Sequence, residues 1–386
     1  MKLEFCCPTL FGLEGIVADE LRFEGKLEDV RSENGRVFFS GDERTLAWAN
    51  LNLRCAERVL VRLGAFPASS FDMLFEGVRA LPWEAFIPAD AAFPVKGYSL
   101  NSALHSIPDC QKIVKKAVVQ RLSEKYGVRW FEENGARCQI QFAIMHDRAE
   151  LYLDTSGAGL HKRGYRANAN AAPLRETLSA AIVKLARWRG RDELLDPFCG
   201  SGTMPIEAAL IAMRRAPGLM RSFDAEKWAW VGESVWNTVR EEAVARIAPQ
   251  ADFRIFGSDI DPECVRLSVD NARKAGVLHT VRFDQADATE LDYQGREGVL
   301  LANPPYGERL LDIQSAERLY AAFGRATRGT ALRQYILSSD TSFEQFYGCK
   351  ADKRRKLYNG MIKCDLYMYF KGQGAEKQSG TPGARL

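Results

Sequence analysis

The sequence predicts an α/β protein in two parts, a small mixed α/β module followed by a doubly wound, mostly parallel sheet. Three observations carry this. Short apolar strands alternate with amphipathic helices along most of the 386 residues. Two runs of strict period two, 138–144 and 149–153, mark antiparallel strands in the first half. Beyond residue 173, apolar runs at 193–195, 254–257, 280–283, 299–302 and 334–338 are separated by helix-length segments, the order of a parallel sheet.

In chain order, 2–6 reads as a strand and 12–22 as a helix with Leu13, Ile16, Val17 and Leu21 inward. A strand at 36–40, a helix at 44–52 and the apolar Val59-Leu60-Val61 complete a small unit ending near residue 65. A helix at 71–80 and a strand at 93–96 follow. Asp109 is placed to N-cap a helix running to Tyr126, with Ile113, Val114, Ala117, Val118 and Leu122 on one stripe. Lys112 and Lys116 lie on its opposite side. His146-Asp147-Arg148 reads as a turn, and the Ala/Asn-rich stretch 167–172 as a linker, after which Pro173 opens a helix. Near the end, 353–357 and 361–370 form a hairpin with an Asn359-Gly360 turn signal. The polar stretch 371–386 is expected to be disordered. The segment 214–250, with Trp228, Trp230 and Trp236, reads as an inserted helical piece without an assigned role.

Composition narrows the function classes. The chain is too long for one compact core, and 46% hydrophobic with 27% charged residues is the balance of a soluble globular protein. No apolar stretch approaches the roughly 20 residues of a membrane span, and residues 1–10 do not read as a secretory signal. Nine cysteines without a C-x-x-C pair, two of them adjacent at Cys6-Cys7, point to reduced thiols in the cytoplasm. Four scattered histidines offer no metal-ligand spacing, so no metal is expected. The net charge of +3 does not identify a polyanion binder. Local basic clusters do more: Lys112/Lys115/Lys116/Arg121, Lys162-Arg163 with Arg166, and Lys353-Arg354-Arg355-Lys356. Each is either a phosphate-binding patch or a solvated face.

Two motifs carry chemistry. Asp196-Pro197-Phe198-Cys199-Gly200-Ser201-Gly202-Thr203 follows an apolar strand and precedes a helix, so Gly200 and Gly202 let the backbone turn tightly against a ligand. No Lys-Ser/Thr pair follows, which counts against a P-loop, and the next suitable acid, Asp259, lies much further on than the roughly 20 residues of a dinucleotide site, which counts against that too. Asp259 ends a strand, where its carboxylate either accepts both hydroxyls of a ribose or caps the helix starting near Pro262, a role open also to Asp261. Asp287 either accepts from an adenine amine or is a loop carboxylate. The second motif, Asn303-Pro304-Pro305-Tyr306, follows Val299-Leu300-Leu301-Ala302. The Asn303 side-chain oxygen and the Pro304 carbonyl can each accept one N–H of an exocyclic amine on a flat base, and Tyr306 offers a stacking ring. The bland alternative is a proline-rich turn with Tyr306 in the core. The motif alone does not choose between adenine and guanine, or between DNA and RNA.

Taken in order, these motifs resemble those of the class I S-adenosylmethionine-dependent amino-methyltransferases, over most of 173–370. The run Leu174-Arg175-Glu176-Thr177-Leu178 is similar to that family's helix leading into the sheet. The resemblance implies a Rossmann-like domain binding S-adenosylmethionine. Thr177 would lie at the donor carboxylate, Asp196, Gly200 and Gly202 at its methionine portion, Asp259 at the ribose and Asp287 at the adenine. The stretches 96–102, 111–117 and 160–166 resemble the THUMP-domain RNA methyltransferases that modify large-subunit ribosomal RNA, and 353–360 resembles that subgroup's final hairpin. This implies a ferredoxin-like domain at 1–65, a THUMP domain at 66–166, a methyltransferase domain at 167–372 and a tail at 373–386. It also implies methyl transfer to the N2 amine of a guanine in 23S rRNA or a ribosome-assembly intermediate, with RNA held by Lys112, Lys116, Lys162, Arg163, Arg166, Arg354 and Arg355. The alternatives are a tRNA guanine, the N6 amine of a DNA adenine, and an RNA-binding assembly factor without catalysis. The first half offers no helix-turn-helix, which counts against DNA. The acids and Asn303 count against a non-catalytic role.

Overall fold

A computed structural model describes residues 1–166, 174–248, 253–305 and 313–370. The chain forms two compact units, Met1–Arg163 with Ala216–Arg246, and Gly164–Arg215 with Ile247–Leu386.

The first unit is built on one seven-stranded sheet. Its strands are β1 (Leu3–Pro8), β2 (Val30–Glu33), β3 (Arg36–Gly41), β4 (Leu60–Pro67), β5 (Val95–Leu100), β6 (Ile140–Met145) and β7 (Arg148–Asp154), in the order β2-β3-β1-β4-β7-β6-β5. All neighbours are antiparallel except β5 and β6. Strand β4 pairs with β1 along one edge and β7 along the other, so hydrogen bonding runs unbroken across residue 65. The helix Ile107–Tyr126 starts earlier than its sequence suggests. Ser106 is the N-cap residue and Pro108 occupies the first turn, where its missing N–H is harmless. Asp109 is therefore not the cap; it lies inside the turn and accepts from the Ser106 hydroxyl at 2.6 Å. His146 and Asp147 form the β6–β7 turn with φ of 50° and 58°, as a tight two-residue hairpin loop requires.

The tryptophan-bearing segment Ala216–Arg246 belongs to this first unit, although it interrupts the second in sequence. Gly218 N–H donates to the Leu51 carbonyl at 2.9 Å, and the Trp228 indole donates to the Arg137 carbonyl at 2.9 Å. Arg221 reaches four carbonyls of the 156–162 loop: Ser156, Ala158, Gly159 and Lys162. The sequence expectation of one domain running through 167–372 thus differs from the compact units.

The second unit holds β8 (Glu193–Asp196), β9 (Ile255–Asp259), β10 (Val281–Gln285), β11 (Gly298–Ala302), β12 (Arg333–Ser338), β13 (Lys353–Asn359) and β14 (Ile362–Tyr369). Their order is β10-β9-β8-β11-β12-β14-β13. The strands β8 to β12 run parallel, β14 is antiparallel to β12, and β13 is antiparallel to β14. All five residues of β11 are buried, as expected for a parallel strand covered on both faces. The final hairpin turns at Gly360-Met361 rather than Asn359-Gly360, because Asn359 is already paired with Ile362. Gly360, with φ of 64°, supplies the positive dihedral that the first loop position needs. Sheet order reverses between β8 and β11, and at such a switch point the connecting segments diverge and leave a crevice at the C-terminal strand ends.

Candidate active site

The crevice is lined by the ends of four neighbouring strands. Asp196 ends β8, Asp259 ends β9, Asp287 lies two residues past β10, and Asn303 is the first residue after β11. Parallel register, with Leu300 opposite Leu195 and Asp196 opposite Gly257, brings these residues to one edge of one sheet.

The glycine loop is tightly braced. Gly200 and Gly202 both take the left-handed conformation, φ 54° and 78°. A Cβ on Gly202 would sit 3.0 Å from that of Ser268, whereas one on Gly200 would meet nothing within 4 Å, so Gly202 packs inward and Gly200 faces open space. The Gly200 N–H donates to Asp259 at 2.9 Å. From the helix Pro262–Ala275, the Ser268 hydroxyl donates to the Gly200 carbonyl at 2.8 Å, and the Asn271 amide to the Ser201 carbonyl at 3.0 Å. Sequence reading missed this pair; its signal was two polar residues three apart on the inward stripe of an amphipathic helix.

The helix-cap alternative for Asp259 is settled by geometry. Asp261 is the N-cap of Pro262–Ala275 and accepts from Glu263 N–H at 2.9 Å. Asp259 instead holds the loop, accepting from the Gly200 and Asp261 N–H groups, one on each oxygen. A carboxylate has about four lone-pair sites, so both oxygens keep capacity for a ligand's hydroxyls. Ile260 beside it is 64% exposed, an apolar wall that the sequence reading did not single out. Asp287 accepts from the Thr289 N–H and hydroxyl through one oxygen.

Asp196 is buried. One oxygen accepts from Phe198 N–H at 3.2 Å, and the other has no partner. Burial drives its carboxyl well above the usual range, and the nearby Asp259 charge adds to the effect. An unpartnered buried carboxylate beside an open glycine loop suits a ligand carrying positive charge and amine donors. The residues present therefore fit S-adenosylmethionine, with its sulfonium, ammonium, ribose and adenine groups. Thr177 lies buried in the first turn of the helix Glu176–Leu185.

Asn303 shows the same property. Its side-chain oxygen is buried and has no hydrogen-bond partner. The turn that carries it is held by Tyr320, which donates to the Pro305 carbonyl at 3.0 Å. Burial pushes the Tyr320 hydroxyl up to about 12, so it stays a donor across physiological pH. Pro304 is buried, and Tyr306 lies outside the described residues.

The expected RNA-contacting cations divide. Lys112 is highly exposed, with one weak contact to Asp109 at 3.4 Å; Lys116 and Lys162 are exposed as well, Lys116 with its ammonium 5.7 Å from the Phe75 ring centroid. Arg163 is 2% exposed and donates to the carbonyls of Leu160 and Arg54, so burial removes it from RNA. Arg166 is also withdrawn. It is paired with Glu176, and donates to the Leu174 carbonyl at 3.2 Å and to the Thr203 hydroxyl, bracing the start of the helix Thr203–Ala212. Arg354 is neutralised by Glu344 and stacked on Tyr367, while Arg355 is half-buried. Among the described residues, no group of three or more His, Cys, Asp and Glu could hold a metal ion, and no helix is long and apolar enough to cross a membrane.

Comparison with known proteins agrees with this geometry. The family model described as an RMKL-like methyltransferase domain matches residues 163–368, an RlmL ferredoxin-like domain matches 4–60, and a THUMP domain matches 68–154. A Bacillus subtilis protein named "Putative RNA methyltransferase YpsC" is 43% identical over 96% of each chain. A Psychromonas ingrahamii protein named ribosomal RNA large subunit methyltransferase K/L is 34% identical over 95% of this chain, which spans only 50% of that protein's length. Two solved structures each superpose with a TM-score of 0.90. One, from Listeria monocytogenes, is described as a "predicted N6-adenine-specific DNA methylase" and is 44% identical, covering 96% of this chain and 97% of its own. The other is described as "SMU.472, a putative methyltransferase complexed with SAH"; it is 41% identical and covers 97% of this chain and 99% of its own.

Proposed function

The chain belongs to the RMKL-like family of S-adenosylmethionine-dependent methyltransferases, with ferredoxin-like and THUMP domains, and from that premise we propose that it methylates the N2 amine of a guanine in 23S rRNA. The observation that carries the chemistry is the buried, unpartnered oxygen of Asn303 at the edge of β11. An exocyclic amine is a poor nucleophile because its lone pair is delocalised into the ring. Asn303 accepts one N–H and the Pro304 carbonyl the other, which orients the nitrogen and favours the positive charge developing on it in the transition state. The acceptors are pre-placed by two prolines and by the Tyr320 bond, so little reorganisation accompanies the reaction. Tyr306 stacks the extruded base.

S-adenosylmethionine supplies an electrophilic methyl group when bound. Asp196, Gly200 and Gly202 hold its methionine portion, Thr177 its carboxylate, Asp259 the ribose hydroxyls and Asp287 the adenine amine. RNA is the substrate this reading favours, supported by the THUMP match and the names of the relatives from Bacillus and Psychromonas. Lys112, Lys116, Lys162 and Arg355 contact phosphates. The guanine assignment rests on the family resemblance.

The test is to incubate the purified chain with labelled S-adenosylmethionine and undermodified rRNA, tRNA or DNA, then identify the methylated nucleoside. N2-methylguanosine in large-subunit rRNA is expected. Transfer to DNA adenine with none to RNA would sink the proposal, and N2-methylguanosine in tRNA alone would move it to the other RNA.

A further inference from the structure

We propose that the tip of the β13–β14 hairpin is a second RNA-contacting element on the catalytic rim. In it, Lys356 and Lys363 hold phosphates, and Met361 with Ile362 packs against nucleotides flanking the target. The inference rests on the RNA-methyltransferase reading above and adds where the RNA beside the target is held.

Strand register places the tip. Asn303 follows Ala302, which lies opposite Ile336; the next residue, Leu337, pairs with Leu366. From Leu366 to Ile362 is four residues along β14, so at about 3.3 Å per residue the tip stands roughly 13 Å beyond the level of Asn303. Sideways it lies two to three strands away, or about 10–14 Å at the usual strand spacing. Strand β12 ends at Ser338, opposite Asp365. Beyond that point the pairs Leu357–Cys364, Tyr358–Lys363 and Asn359–Ile362 form a two-stranded ribbon that projects past the edge where the active-site residues sit.

The chemistry of the ribbon suits nucleic acid. Between residues 350 and 365 the chain carries six cations, Lys350, Lys353, Arg354, Arg355, Lys356 and Lys363, against the two acids Asp352 and Asp365, with Arg354 already paired to Glu344. Directly opposed residues share a face and alternate residues return to it, so Lys356, Tyr358 and Lys363 lie on one side of the ribbon, together with the half-buried Asp365 opposite Lys356. Both lysines are exposed. Met361 at the turn is 98% exposed with Ile362 beside it, an apolar point where a polar residue would be the ordinary solvated choice. One exposed methionine is unremarkable by itself. Here it crowns a cationic ribbon on the rim that a flipped base must pass, so the occupant its surroundings favour is the rest of that substrate.

The test uses the full chain and large-subunit rRNA transcribed in vitro. Lys356→Ala with Lys363→Ala should flatten the slope of log affinity against log salt by about 1.4–1.8, one phosphate contact per lysine. Met361→Asp should raise the KM for rRNA at least tenfold while SAH affinity and melting temperature stay at wild-type values. Unchanged slope and unchanged KM in variants of an RNA-active wild type would overturn the inference alone. A wild type that transfers no methyl to any RNA would overturn the reading beneath it as well. If Met361→Asp instead abolished capture of a protein while rRNA binding was untouched, the tip would be a protein-docking site and the RNA contact would be wrong.

Discussion

Each unit buries an aspartate at the end of a strand, and the two are treated differently. Asp154 ends β7 and is saturated: Arg58 pairs with it at 2.5 Å, Gln139 and Gln141 donate at 3.2 and 2.9 Å, and the Ser156 and Gly157 N–H groups donate at 3.0 and 3.3 Å. Asp196 ends β8 with one backbone N–H on one oxygen and nothing on the other. Burial raises both carboxyls. Arg58 and two backbone bonds oppose the rise at Asp154 and only the Phe198 N–H opposes it at Asp196, while a neighbouring acid, Asp224 or Asp259, adds to it at each. Saturation is what a folding scaffold needs, since an unpaired buried polar group costs about 1–3 kcal/mol. A carboxylate left short of partners is tolerated where a ligand completes it, and Asn303 shares that condition in the same crevice.

This contrast can be broken experimentally. The largest effect is expected at Asn303: Asn303→Ala should lower kcat at least about 10²-fold, roughly 3–4 kcal/mol of transition-state stabilisation, with SAH binding by calorimetry unchanged. A fully active variant would mean the unpartnered oxygen is not the acceptor. Next, Asp154→Ala should destabilise the first unit by roughly 3 kcal/mol, the low end for breaking a buried pair because Arg58 is partly exposed. Denaturant unfolding measures it, and a neutral result would show that saturation there is decorative.

Asp196→Asn should act in the opposite direction on stability, raising that of the donor-free protein by roughly 1–3 kcal/mol at neutral pH while weakening donor binding. The sign follows from proton linkage. The folded carboxyl titrates above its unfolded value of about 3.9, so the folded state binds more protons in that interval and loses stability as pH rises through it. Below about pH 4 both states are protonated and the advantage of Asn should vanish. A thermal-shift series against pH checks this; an Asn variant less stable at every pH would refute the buried-charge argument. The smallest effect is expected for Tyr320→Phe, which removes one hydrogen bond to Pro305, about 1 kcal/mol, and should lower kcat less than about tenfold with the fold intact.

Much of this was readable in advance because it is local. Period-two runs found β6 and β7, apolar runs found the parallel strands, and glycines in a strand-turn-helix setting found the loop whose φ values are now seen to be positive. The basic residues were read less well. Arg163 and Arg166 look like Lys162 in the sequence, yet one fills a core position in the first unit and the other braces a helix start beneath the glycine loop. The letter Arg specifies a charge and five donors, and only neighbours distant in sequence decide whether water, phosphate or a carbonyl receives them.

Element types, the glycine loop, the order of the acids and the residue kinds at the methyl-accepting turn follow from the order of amino acids alone, because these depend on backbone dihedrals, side-chain periodicity and functional groups within a few positions. The tertiary structure decided the rest. It gave β4 partners on both edges, assigned Ala216–Arg246 to the first unit, let Asp261 cap so that Asp259 holds the loop, and left Asp196 and Asn303 each with an empty acceptor. Each of those outcomes is a matter of burial and pairing between residues far apart in the chain, and a buried acceptor's free valence exists only once everything around it has been placed.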